Sequence, residues 1–497
     1  MSDTSHSNRT AQAFAIESSP GTLPGSPTWY ETGPNAVSDP GQKLARKARA
    51  PISPNNQRQF GGIVDVTAAP KFDGDLTLSS LEQFVEQFCR CQLTGPAVFR
   101  PTSCTSAHFV VASGGALPQY TLVYVRGART ASNNGLKVLA ASSTGTNIII
   151  AGGLTAETFT AADNVTVEVC GYRFTSGDLQ IVSGNLVTAT KDLTTLGLAS
   201  GQTCWLGGTT SGTSFATAAD RGPFRIALAP AANLITTDKR YGTWTDDAGT
   251  GKTVDLYFGR QLRVVPITDA NYLERHIRWE TTYHRLGAAN APAYGYTVGC
   301  AISQATLTLP EKDLATMALE FMANSEIAPS TSRATNASAP FRETKKAAIS
   351  TVSDVFRGRV LKVDPSTGAV GAGLTGYITA VNLTLKNNTS YNGAHGVQGS
   401  FETSFGMLEA DLKVNAYFTE IDAVSHANSN LPVTADWFLR NNDGAFCMDV
   451  PYAELAIDGR NAPKDQTIKI DLGVGACEDS IWGTSLIVSL LPYCPAA

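Results

Sequence analysis

The chain has 497 residues and a formal net charge of −5; 42% of its residues are apolar and only 16% are charged. Such a length is a prior for two to four domains with real cores. The mildly acidic balance, with no basic domain, argues against tight capture of a nucleic-acid backbone. The sparse charge suggests surfaces covered by other subunits.

Gly (45 residues), Thr, Ser, Ala and Asn fill the remainder, which favours β structure with many turns. The nine Cys contain no CxxC pair and read as small buried thiols of a reducing compartment. The first residues, MSDTSHSNRT, have no apolar h-region, and no apolar run reaches the roughly 18 residues of a membrane helix. The expectation is synthesis in a cytoplasm with no membrane insertion.

Residues 1–35 are polar and rich in Ser, Thr, Pro and Gly, which predicts an arm without its own core. Trp29 and Tyr30 speak against a plain tail, because paired aromatics usually dock. In residues 41–60, Lys43, Arg46, Lys47, Arg49 and Arg58 form a basic cluster stiffened by Pro51, Ser53 and Pro54. That suits docking on an acidic partner or a neighbouring subunit, with a solvated loop as the alternative.

Residues 61–67 alternate as a strand. Ser79 and Glu82 have capping-box spacing, and Leu81, Phe84, Val85 and Phe88 form one apolar stripe, which predicts an amphipathic helix over 80–91. Residues 96–262 are short β runs between Gly, Asn, Asp and Ser turns, the pattern of small barrels or sandwiches.

An aromatic- and Arg-bearing bridge spans 267–300. Ala305, Leu307 and Leu309, then Met317, Leu319 and Phe321, alternate as strands. Residues 323–350 read as a long loop holding Arg342, Lys345 and Lys346. Strands are predicted at 354–363, 376–386 and 405–420, a short helix or turn at 431–440, and closing strands near 445–450, 466–472 and 484–491.

The best-defined object is the hairpin 376–420. Leu408, Ala410, Leu412, Val414, Ala416 and Phe418 point one way; Glu409, Asp411, Lys413, Asn415 and Tyr417 point the other. This is the period-two pattern of a strand with one buried and one wet face. A faint similarity between 61–90 and 298–322, and between FGRQLRVVP and FRGRVLKVDP, leaves duplication of a β-domain open.

Motifs of catalysis are missing. DAGTGKT (247–253) ends in GKT, but Asp246 stands where a phosphate loop needs Gly, and a strand pattern follows instead of a helix. No HExxH, Cys/His cluster or GxSxG occurs. The reading is a structural protein with no catalytic, cofactor or metal residues. A pair of glycosidase carboxylates is the one enzymatic pattern that a single sequence does not test.

Lys47–Gly62 (KARAPISPNNQRQFGG) with Asp73–Leu81 resembles the N-terminal part of major tail tube proteins of long non-contractile-tailed, siphovirus-like bacteriophages. Tyr294–Leu491 resembles their tube domain: ISQATLTLPEKDLATMALEFMA, a long loop, the hairpin, a turn at Asn441, Asp443 and Gly444, then Cys447–Pro451.

The resemblance implies a mainly β fold: a tube-type β-barrel or sandwich with a flanking helix, plus additional small β-domains. Its expected domains are an arm (1–35), a first tube-like region (36–266) and a C-terminal tube domain (267–497). It implies a virion protein that polymerises with itself as stacked rings. These rings are trimeric if the tube domain is duplicated and hexameric otherwise.

Further implied partners are a tape-measure protein, tail tip and terminator proteins, and DNA in passage. Glu409, Asp411, Lys413 and Asn415 are the channel-lining candidates. Arg46, Lys47, Arg49, Arg58, Arg342, Lys345 and Lys346 are the inter-subunit candidates. The rival reading is a carbohydrate-binding or -hydrolysing, tail-tip or decorating β protein, which would need clustered exposed aromatics or paired carboxylates.

Overall fold

A computed structural model describes residues 10–38, 41–49, 52, 57, 59–113, 117–160, 163–286, 291–334, 337–419, 421–462 and 464–495. It is mainly β, with 48% strand and 7% helix. The N-terminal elements are β1 (Thr10–Ile16), β2 (Trp29–Thr32), β3 (Ala36–Ser38), β4 (Gln42–Lys47), β5 (Gly62–Ala68), β6 (Lys71–Asp75) and α1 (Leu78–Cys89). After a β-rich stretch come β7 (Arg260–Arg263), β8 (Ile277–Tyr283), β9 (Ala293–Leu309), β10 (Thr316–Met322) and β11 (Ser325–Ser330). The chain continues through β12 (Val355–Val363), β13 (Val370–Gly373), β14 (Ile378–Lys386), β15 (Glu409–Tyr417) and α2 (Asp422–Asn428). It closes with β16 (Val433–Asn441), β17 (Gly444–Asn461), β18 (Lys469–Cys477) and β19 (Ile487–Leu491).

The predicted hairpin forms. β14 and β15 pair antiparallel with Leu383 opposite Leu412 and Asn382 opposite Lys413. β18 continues the layer on one side and β9, β10 and β6 on the other. We call this the first layer. β17 then bends. Its C-terminal half pairs with β18, whereas its N-terminal half pairs with β16 and β19 in a second layer completed by β12 and β7. Leu383, Leu412 and Val474 of the first layer share one apolar core with Val360, Leu439, Phe446 and Val488 of the second, and with Leu81, Phe84 and Phe88 of α1.

Helix α1 starts two residues before the predicted position. Thr77 is its N-cap, and Thr77 and Ser80 form the capping box. Ser79 instead lies inside the first turn, and Glu82 forms an ion pair with Arg260, 2.9 Å away. The apolar stripe is as read.

Three expectations need correction or refinement. The arm has no core of its own but is not a separate segment: β1 pairs with β2 and β8, and Phe14 and Trp29 are both buried against the body. Phe14 stacks on Phe84 at 4.8 Å, which anchors this strand to α1. Residues 431–440 are not a helix or turn but most of strand β16. Its residues 433–439 are buried on both faces, Val433, Ala435, Trp437 and Leu439 in the main core and Phe438 in a second interface. Its polar residues Thr434 and Asp436 are buried as well, so polarity along this strand does not mark a wet face. Third, β11 occupies the start of the predicted 323–350 loop.

The cores also divide the chain differently from the 36–266 and 267–497 split. Residues from Phe14 to Cys91 join Leu262 to Leu490 in one core, the body, while Phe99 to Phe258 form a second core. The second unit is an insertion. Its entry and exit are neighbours, since Thr94 and Gln261 exchange two backbone hydrogen bonds of 2.7 Å. Its largest sheet includes Thr121–Arg126, Thr166–Arg173, Asp255–Tyr257, Thr203–Leu206 and Gly222–Ile226. Both α-helices of the described residues belong to the body.

Candidate functional site

Alternation in β14, β15 and β18 sends Leu383, Leu412, Val414, Leu472 and Val474 into the core. It leaves Asn382, Asp411, Lys413 and Asn415 exposed and Glu409, Thr384 and Asp471 half-buried on the other side. The four channel-lining candidates therefore share one wet face. Cross-strand partners extend it: Thr384 stands opposite Asp411 and Asp411 opposite Gly475, while Asn415 stands opposite Asp471.

The face continues across β9 and β10 through Gln304, Thr306, Thr308 and Glu320, and across β17 through Glu454, Ala456 and Asp458. Lys386 reaches Asp411 at 3.7 Å and Lys71 reaches Glu320 at 2.6 Å, both pairs well exposed. Such pairs contribute little to stability. Carboxylates outnumber lysines across these strands, so the face is acidic, with Thr, Asn and Gly between the charges.

The seven inter-subunit candidates fall in three places. Arg46 and Lys47 lie on β4, which among the described strands pairs only with β5 in a two-stranded ribbon and is exposed along its whole length. Arg49 follows it and is also exposed. The ribbon shows Leu44, Ile63 and Val64 to solvent. Arg58, with Pro51, Ser53 and Pro54, lies outside the described residues. Arg342 and Lys346 are exposed.

Lys345, in contrast, is buried. Its ammonium lies 2.7 Å from Glu82 of α1 and 3.0 Å from Glu168 of the insertion. Its charge is used within the subunit, tying helix to insertion. Spacing alone could not separate it from Arg342 and Lys346.

Sequence reasoning missed a buried charge cluster between body and insertion. Arg225 holds Asp238 at 2.6 Å and Asp449 at 3.1 Å, and Lys239 reaches Asp449 and the Thr434 hydroxyl, both at 2.6 Å. Beside them, Asp436 accepts from Arg359 at 3.0 Å and pairs with Arg357. Burial alone would raise the Asp436 carboxyl, but Arg357, Lys239 and Arg359 outweigh it and hold it far below the usual carboxylate range. Burial, reinforced by Arg225, lowers Lys239 despite Asp449 and Asp436. Next to this cluster, Leu122, Trp205 and Tyr257 of the insertion pack on Phe438, Cys447 and Leu491 of the body.

The GKT segment is a turn. Gly249 and Gly251 take positive φ, Lys252 donates to the Ser211 carbonyl at 2.9 Å, and Asp255–Tyr257 follows as a strand. All nine Cys are free thiols, eight buried and Cys477 half-buried. Among the described residues, no three His, Cys, Asp or Glu are grouped to hold a metal ion, and no helix is long and apolar enough to cross a membrane. Trp29, Trp205, Trp244, Trp279 and Trp437 are buried and Trp482 is half-buried, so the tryptophans form no exposed platform.

Among family models, that of the phage tail tube proteins matches residues 234–476. The match takes in every strand from β7 to β17 and nearly all of β18. No curated protein matches the chain.

Proposed function

Through residues 234–476 the chain belongs to the phage tail tube protein family, and from that premise we propose that it stacks as rings whose channel wall is the wet face of β14, β15 and β18. A tail tube protein is a structural component of the virion tail that assembles with copies of itself. The observation carrying the finer reading is the face itself, a broad polar surface backed along its length by a fully apolar core. Its flanks support closure. Leu455–Asn461 of β17 are hydrogen-bonded to β18 alone among the described strands, and short β3 ends the opposite flank. Pairing such edges between neighbours closes a barrel and removes the exposed edges.

The body holds one two-layer unit backed by α1, and among the described residues the insertion contributes no second α-helix. That favours one tube domain per subunit and hexameric rings. The acidic face disfavours adhesion of DNA, which suits passage. During assembly the tape-measure protein would fill the same channel, and tip and terminator proteins would bound the stack. The exposed ribbon, with Arg46, Lys47 and Arg49 beside Leu44, Ile63 and Val64, is the contact offered to a neighbouring copy. Arg342 and Lys346 add further exposed charge for such contacts, and the siphovirus-like tail class belongs to the same proposal.

Negative-stain images of concentrated purified protein test this. Tubes of uniform diameter with six subunits per ring are expected. Protein that stays monomeric at high concentration, with or without tail-initiating components, sinks the proposal.

A further inference from the structure

The layers of the subunit have a fixed order, and this has a consequence for the insertion. The wet face of β14, β15 and β18 comes first, then the main core, then the second layer of β12, β16, β17, β19 and β7. The insertion packs on the far side of that second layer. Alternation proves it: Leu439, Phe446 and Val488 point into the main core, while Phe438, Cys447 and Leu491 on the same strands meet the insertion. Two layers of sheet and a full core thus separate the insertion from the wet face.

We infer that residues 98–258 form a rigid module on the outer side of the assembled ring, facing the surroundings and leaving the channel untouched. This rests on the wet face being the channel wall. Rigidity follows from the docking. Arg225 and Lys239 meet Asp449 in a buried cluster, Lys345 bridges Glu82 and Glu168, and the Arg126 guanidinium lies on Asp443 and the Pro492 carbonyl. Thr203 N–H donates to the Ser489 hydroxyl at 3.0 Å and Gln202 to the Gly259 carbonyl at 2.7 Å. A unit attached only by a flexible linker would show none of these.

A module of this length has a radius of gyration of about 15 Å. Repeated on every subunit, it makes the tube surface knobbed and holds any second, coaxial protein layer away from the tube wall.

Two cysteine variants of the full chain decide it. Thr144 is exposed on the insertion and Asn415 is exposed on β15, and eight of the nine native thiols are buried, which keeps background labelling low. Assembled tubes and dissociated subunits are treated with a bulky maleimide polymer, wild-type tubes serving as the blank. Thr144→Cys should label in intact tubes as fast as in dissociated subunits, while Asn415→Cys should lose its labelling in tubes and regain it on dissociation. Protection of both sites in tubes would overturn the exterior placement and leave the channel wall standing. Free labelling of Asn415→Cys along intact tubes would overturn the channel wall, and the placement with it.

Discussion

Leu412 and Lys413 are sequence neighbours with opposite environments. Leu412 is 2% exposed in the main core, and Lys413 is exposed on the wet face. Leu412→Asp would replace core packing with a buried unpaired charge, costing about 5 kcal/mol or more. Soluble, cooperatively melting subunits should be lost. Lys413→Ala should change stability by less than about 0.5 kcal/mol and still give tubes. Thermal melts with micrographs check both, and normal tubes from Leu412→Asp would mean the faces are reversed.

Glu343 gives a pH signature. Burial pushes its carboxyl from 4.5 up to about 7, with Lys346 opposing and Glu31 adding to the rise. Its folded value lies above its unfolded one, so its favourable contribution is full below pH 4.5 and lost as pH rises through 7. Glu343→Gln stays neutral throughout. The variant should match wild type near pH 4 and exceed it by about 2 kcal/mol above pH 7, the shift being discounted for partial exposure. Denaturant melts across this range test it, and equal stabilities at pH 8 would refute it.

Among elements, those with one wet face were legible in sequence and those buried on both sides were not. β15 and β14 emerged from period-two alternation because solvent writes polarity onto one side. β16 was misread because Thr434 and Asp436, polar in sequence, are buried on the side turned to the insertion and satisfied by Lys239, Arg357 and Arg359. Lys239 lies 195 residues before Thr434 and Arg359 lies 77 before Asp436, so the partnership leaves no local trace. The same holds for Lys345, whose partners Glu82 and Glu168 lie in different units. The wet-face residues were found because they are local to one hairpin.

The β4–β5 ribbon belongs at this scale too. A two-stranded ribbon by itself is only marginally stable in water; this one is anchored to the body at Ala68, which accepts from Ala323, but exposes Leu44, Ile63 and Val64, so it suits cover by a neighbour. Reversing Arg46 and Lys47 together to Glu should leave the subunit's melting temperature nearly unchanged, because both side chains are exposed. It should strongly reduce tube formation, read by sedimentation and micrographs. Full assembly by the charge-reversed protein would remove the ribbon from the interface.

At the scale of the whole molecule, two cores meet across one interface, and the interface decides whether they unfold together. The apolar patch around Trp205, Tyr257 and Phe438 couples them, and so does the cluster in which Asp449 serves Arg225 and Lys239 at once. Removing one member of a buried charge cluster strands the others, at about 3–5 kcal/mol. Asp449→Asn leaves Lys239 with Thr434 and Arg225 with Asp238, so the cost falls on the junction and spares either core. Wild-type subunits should therefore melt in one calorimetric transition with calorimetric and van't Hoff enthalpies in agreement. Asp449→Asn should split that transition in two, because the insertion keeps a core of its own. Wild-type protein already melting in two steps would mean that the junction does not couple the cores, and the rigid docking of the insertion would fall with it.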